Sequence, residues 1–161
     1  MDHELDPQTT RLAGTLEYMA LECISTCRAS KESDVYSFGV VVLEIATEKR
    51  SGYLVEEDSD VGLVQWVWNL YGRGDLLLAM DEKLQANFDK KQIECLMIVG
   101  LWCAHLDRIL KPSIRQAIHV LNFDAKTPNL PIQMPVPMYP IPIASVSSSA
   151  PLITTSLQEG R

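Results

Sequence analysis

Apolar positions recur at helical spacing between residues 31 and 123 of this chain, and hardly at all outside that span. The strongest run predicts a helix over 33–47. Val35, Phe38, Gly39, Val42, Leu43 and Ala46 follow the i, i+3, i+4, i+7 rule, and Val40, Val41 and Ile45 fill the remaining faces. A helix apolar nearly all round belongs at the centre of a domain. Three β-branched residues in a row, Val40 to Val42, also permit a strand. A second helix is expected over 61–71, capped by Ser59 or Asp60, with Leu63, Val64, Val67 and Leu70 on one face. Gly72 and Gly74 supply its stop, and a shorter helix follows through Leu76 to Met80. A third is expected over 90–104. Asp89 and Gln92 stand at capping-box spacing, ahead of a stripe of Ile93, Leu96, Met97, Gly100, Leu101 and Ala104. Met97 and Trp102 read as core packing rather than a cofactor box. A fourth runs from Pro112 to Asn122, with proline at its first position and Ile114, Ala117, Ile118 and Leu121 facing inward. No internal repeat and no useful alternating strand pattern is present, so the expected class is mainly α.

The flanks differ in kind. Residues 1–30 are polar and read as an extended loop with short turns. Residues 124–161 hold seven of the nine prolines and a Ser/Thr-rich end. Proline at that density removes backbone donors and bars helix, which predicts a disordered, extended tail. The expected organisation is therefore 1–30, 31–123 and 124–161.

Composition narrows the function classes. At 161 residues with 47% hydrophobic content the chain can bury one core. A formal charge of −7 disfavours nucleic acid, whose binding needs Lys and Arg against phosphates. It also disfavours an anionic membrane surface. Cys23, Cys27, Cys95 and Cys103 form no CxxC pair. They read as buried, reduced thiols rather than a redox pair or a metal site shared with His105, so no metal is expected. No signal peptide is visible. The most apolar stretch, 38–46, is too short to span a bilayer and contains Glu44.

The chemistry-bearing motif is Ala13-Gly14-Thr15-Leu16-Glu17-Tyr18-Met19-Ala20-Leu21-Glu22, followed by Ser33-Asp34-Val35-Tyr36-Ser37-Phe38-Gly39. Together these resemble the end of a protein-kinase activation segment and the buried helix after it. With segments 63–77, 95–105 and 111–123, the chain over residues 1–123 is similar to the C-terminal part of plant receptor-like Ser/Thr kinase domains, most of all those of legume-lectin (L-type) receptor kinases. The resemblance implies the helical C-lobe of the kinase fold.

It also implies site roles. Thr9 and Thr10 would lie in the activation loop as phosphorylation sites. Thr15 would meet the catalytic aspartate, and Tyr18 would line the site for the residue after the phosphoacceptor. Glu22 would form a buried ion pair with the residue before the last helix, here Lys111 where the family has arginine. Asp34 would anchor the catalytic loop. Leu21 stands in place of a family proline and Glu17 in place of a glycine, so distortion of the substrate loop is expected.

Only twelve residues precede Ala13. The Gly-rich loop, the strand lysine, the HRD loop and the DFG motif that phosphoryl transfer needs are not found in the 161 residues. Gly72-Arg73-Gly74 is no phosphate loop, because no strand precedes it. The expectation is a chain with no catalytic residue and no cofactor of its own, although the intact family uses ATP and magnesium. Its expected partners are protein substrates or a full-length kinase. The expected location is cytoplasmic, at the plasma membrane for the intact family. Two alternatives compete. One is a non-catalytic binding module that docks through an exposed apolar helix. The other is an unrelated helical scaffold whose tail, with PxxP spacing at Pro128-Asn129-Leu130-Pro131 and Pro137-Met138-Tyr139-Pro140, serves SH3 or WW grooves.

Overall fold

A computed structural model describes residues 16–26, 28–51, 61–85 and 89–136. Among these described residues six α-helices follow one another: α1 (Leu21–Thr26), α2 (Lys31–Thr47), α3 (Leu63–Arg73), α4 (Glu82–Gln85), α5 (Lys90–Cys103) and α6 (Ile114–Leu121). Two 3-10 turns lie at Leu16–Tyr18 and Leu76–Ala79. No strand occurs among the described residues, so the β-branched run of α2 resolves as helix. Burial settles it: Val40, Val42, Leu43 and Ala46 are all inside, which repays the rotamer cost of β-branched residues in a helix.

Helix α2 begins with a reciprocal box. The Ser30 side chain accepts from the backbone N–H of Ser33, and the Ser33 hydroxyl accepts from the backbone N–H of Ser30 at 2.8 Å. Two orphan donors are thereby satisfied, and the helix starts two residues earlier than its apolar pattern. The α2–α5 crossing holds the core. Gly39 and Gly100 face each other there; a Cβ on Gly39 would lie 2.6 Å from the Gly100 carbonyl oxygen, and one on Gly100 would lie 2.8 Å from Leu43. Around this contact Leu43, Val67, Trp68, Met97 and Leu101 are fully enclosed. A smaller cluster of Val35, Cys95, Val99, Cys103, Ala117 and Val120 joins α2, α5 and α6.

Several sequence expectations need correction. Helix α3 starts at Leu63 with Gly62 at its cap position and no side-chain cap bond; Ser59 and Asp60 lie outside the described residues. Gly72 stays within α3, and Gly74 alone ends it, at φ 81°. Asp89 does cap α5, accepting from the Lys91 N–H, but Gln92 does not close a box. Pro112 precedes α6 rather than opening it. The cap is Ser113, boxed with Gln116. The buried face of α6 is Ala117 and Val120, whereas Ile114 and Ile118 are 45% and 48% exposed. Packing against the Cys95–Cys103 side of α5 selects that face. Within 1–30, the loop expectation misses α1, whose Glu22 and Cys23 are buried. Residues 124–136 form no helix or strand, yet Leu130 and Met134 pack onto the main core. This part of the expected tail lies against the helices; 137–161 fall outside the described residues.

Candidate functional site

Helix α1 carries Glu22 in its first turn and turns it inward. Lys111, just ahead of the α6 cap, reaches across the chain so that its Nζ donates to Glu22 Oε1 as a salt bridge. Both groups are buried, at 5% and 8% exposure. The Lys111 ammonium also sits 5.1 Å from the centroid of the Tyr36 ring on α2, an attraction between a cation and the ring face. Burial, and then the Glu22 charge, push the Tyr36 hydroxyl above its ordinary pKa. The other carboxylate oxygen, Glu22 Oε2, is buried with no hydrogen-bond partner. The chemistry of lysine explains it: one ammonium is a point donor, whereas a guanidinium presents a planar fork to both carboxylate oxygens.

The 3-10 turn ahead of α1 is tied to α2 separately. The Tyr18 hydroxyl donates to the Glu44 carboxylate, at 2.9 and 3.0 Å to its two oxygens. The Ser37 hydroxyl donates to the Tyr18 carbonyl at 2.6 Å, and Glu44 also accepts from the Ser51 N–H. Glu44 therefore has a job inside the helical body that its position in an apolar run did not announce.

Asp34 lies exposed in the first turn of α2, where the helix dipole favours an acid. It lines an open groove of about 800 Å³ together with Val35 and Phe38 of α2 and Arg108, Ile109 and Ile114 from the loop and helix opposite. Asp34, Phe38, Val41 and Ile45 recur along one stripe of α2, and Val41 and Ile45 are 41% and 64% exposed. The structure thus brings Glu22, Lys111 and Tyr36 together and places Asp34 at the edge of the adjoining groove. Thr9, Thr10 and Thr15 lie outside the described residues.

His105 closes α5. It is 2% exposed, its ring meets Trp68 edge-on with centroids 5.7 Å apart, and its Nδ1 accepts from the Asp107 N–H. Burial holds its pKa below the ordinary value. Cys95 and Cys103 are buried free thiols; burial raises the first and pushes the second up to about 12. Such thiols are poor nucleophiles and poor ligands.

Comparison with known proteins supplies the family. The family model for protein tyrosine and serine/threonine kinases matches residues 2–66. The L-type lectin-domain containing receptor kinase IX.1 of Arabidopsis thaliana is 56% identical over all of this chain and 26% of its own length. Receptor kinase IX.2 of the same plant is 47% identical over 97% of this chain and 24% of its own length. The S.7 kinase of Oryza sativa subsp. japonica is 39% identical over 93% and 21%. Among solved structures, the pseudokinase domain of BIR2, an immune regulator of the RLK/Pelle family, superposes with a TM-score of 0.60 at 29% identity. That match covers 68% of this chain and 33% of the other. The chain carries part of a protein kinase domain and belongs to that family, with the helical architecture of the kinase fold. Within the family its likeness is to the L-type lectin-domain receptor kinases, and it spans about a quarter of their length. Among the described residues no helix is long and apolar enough to cross a membrane.

Proposed function

We propose that this chain supplies the acceptor-side, structural half of a receptor-like Ser/Thr kinase domain, and that the 161 residues alone do not transfer phosphate. The observation that carries the reading is the buried Glu22–Lys111 pair, which fastens the segment ahead of α2 to the loop ahead of α6. Beside it Glu44 and Ser37 hold the Tyr18 turn against α2, where a polypeptide acceptor would be presented. Thr15 and Tyr18 are the substrate-loop residues on this reading, Thr9 and Thr10 the phosphorylated ones, and Asp34 the anchor for the catalytic loop. Phosphoryl transfer is almost wholly positioning and charge neutralisation. The sequence offers no Gly-rich loop, HRD loop or DFG aspartate to do either. The substrates would be protein Ser/Thr hydroxyls, and the working site the cytoplasmic side of the plasma membrane.

A second reading is a binding module that competes for kinase partners. The exposed stripe of Val41 and Ile45 beside the α2–α6 groove favours it. Titration of the purified chain with labelled ATP and magnesium separates both from an active enzyme. No saturable binding is expected. Micromolar affinity, or turnover by the isolated chain, overturns the proposal.

A further inference from the structure

The first PxxP segment of the chain is not free. Residues 128–134 run along α3 outside any helix or strand and are held there mainly through their own backbone. The Trp68 indole Nε1–H donates to the Pro131 carbonyl at 2.9 Å. The Tyr71 hydroxyl accepts from the Leu130 N–H at 3.1 Å and donates to the Leu130 carbonyl at 3.4 Å. One residue beyond Pro131, at Ile132, the strap passes over Gly72. A Cβ at that position would lie 2.2 Å from the Ile132 carbonyl oxygen, so only glycine admits the segment this closely. Leu130 and Met134 insert on either side and pack against the core cluster that includes Trp68.

These features have separable purposes. Trp68 and Tyr71 stand three residues apart on one helix face and read main-chain groups, which any residue can provide. Pro131 itself has no N–H that needs a partner where the segment meets Trp68. Proline-rich segments bind such aromatic-lined surfaces cheaply, because their extended backbone is already ordered. Side-chain selectivity comes from the two apolar seats of Leu130 and Met134. Gly72 is the gate: it sets the depth of the groove without touching the chemistry.

We infer that the α3 face formed by Trp68, Tyr71 and Gly72 is a recognition groove for extended proline-containing peptides of the Leu-Pro-Ile kind, with residues 128–134 as its resident ligand in cis. The groove does not depend on whether the domain phosphorylates anything. It also changes the meaning of the PxxP spacing at Pro128–Pro131. The Leu130 and Pro131 carbonyls already have partners on α3, so an external SH3 or WW groove that needs them would have to displace α3 first.

The test uses the full chain and a fluorescein-labelled synthetic peptide with the sequence of residues 126–136. In the Leu130→Ser/Met134→Ser variant the cis ligand is weakened and the groove is open for longer. Fluorescence anisotropy should then show saturable binding about tenfold or more tighter than to the unaltered chain, because a resident occupant lowers apparent affinity by the fraction of time the site is free. Adding Gly72→Val to that variant should abolish binding. No saturable binding to a loosened chain that retains its helical circular dichroism, or binding indifferent to Gly72→Val, overturns the inference. Hydrogen exchange gives a second readout. The Trp68 indole proton of the unaltered ¹⁵N-labelled chain should exchange about tenfold or more slowly than in the loosened variant. Equal rates would show that the strap does not lie on Trp68, and the groove would be discarded.

Discussion

The two sides of α2 differ more than their sequences do. Both are apolar. On one side Gly39, Val40 and Leu43 meet α5 and the fully enclosed Met97 and Leu101, and the strap of residues 128–134 covers the far edge through Trp68. On the other side Phe38 lines an open groove shared with α6, and Val41 and Ile45 stand exposed further along the same stripe. A hydrophobic stripe therefore says only that a helix wants neighbours, not on which side this chain provides them. The Glu22–Lys111 pair, close to the open groove, is the polar counterpart: it is enclosed, yet one carboxylate oxygen has no partner. The closed side is complete in itself. The open side is where a further part of a kinase domain would pack, on the proposal made above.

The comparison can be broken most severely at the buried pair. Lys111→Met leaves a buried carboxylate with no cation and should cost about 3–5 kcal/mol in urea unfolding. Next comes the closed side itself. Gly39→Val forces a branched side chain against the Gly100 carbonyl and the Ala104 N–H, backbone atoms that cannot swing aside. A loss of about 3 kcal/mol is expected from the overpacking, visible as a lower Tm. Lys111→Arg works in the opposite direction. The guanidinium fork can donate to Glu22 Oε2 as well as Oε1, so a gain of about 1 kcal/mol is expected. An unchanged or lowered Tm would show that the cavity cannot admit the larger head group.

Acid sharpens the same contrast. His105 lies on the closed side with its pKa depressed by burial, partly offset by Asp107 and reinforced by the Lys111 charge. The unfolded chain therefore takes up that proton first as pH falls. The stability His105 contributes is fully present above the unfolded pKa of about 6.5 and is lost as pH drops from there through the lower folded value. Thermal unfolding between pH 8 and pH 5 should show this decline, and His105→Gln should flatten it. The smallest effect belongs to the open side. Ile45→Ser, at 64% exposure, should change stability by no more than about 0.5 kcal/mol in urea unfolding.

Much of this architecture was legible in the chain, and the failures have specific causes. Helices α2, α3 and α5 announce themselves through long apolar periodicity and, for α5, a capping acid. Helix α1 does not, because its six residues are too few for a period and its inward faces are a glutamate and a cysteine. The apolar residues of α6 misled: Ile114 and Ile118 look like a core face, but α5 receives the smaller Ala117 and the Val120 beside it. Proline content forecast the absence of helix over 124–136 without saying where that segment would lie. Trp68 and Tyr71 carried the missing signal, two aromatic residues with polar tips at helical spacing and a glycine directly after them. The Glu22 and Lys111 positions came from family resemblance. Nothing in their spacing of 89 residues brings them together.

The bare contact of Gly39 with Gly100 has a mechanical meaning. With no side chain between them, the two longest helices bear on each other as an axle bears on its housing, and neither can tilt without carrying the other.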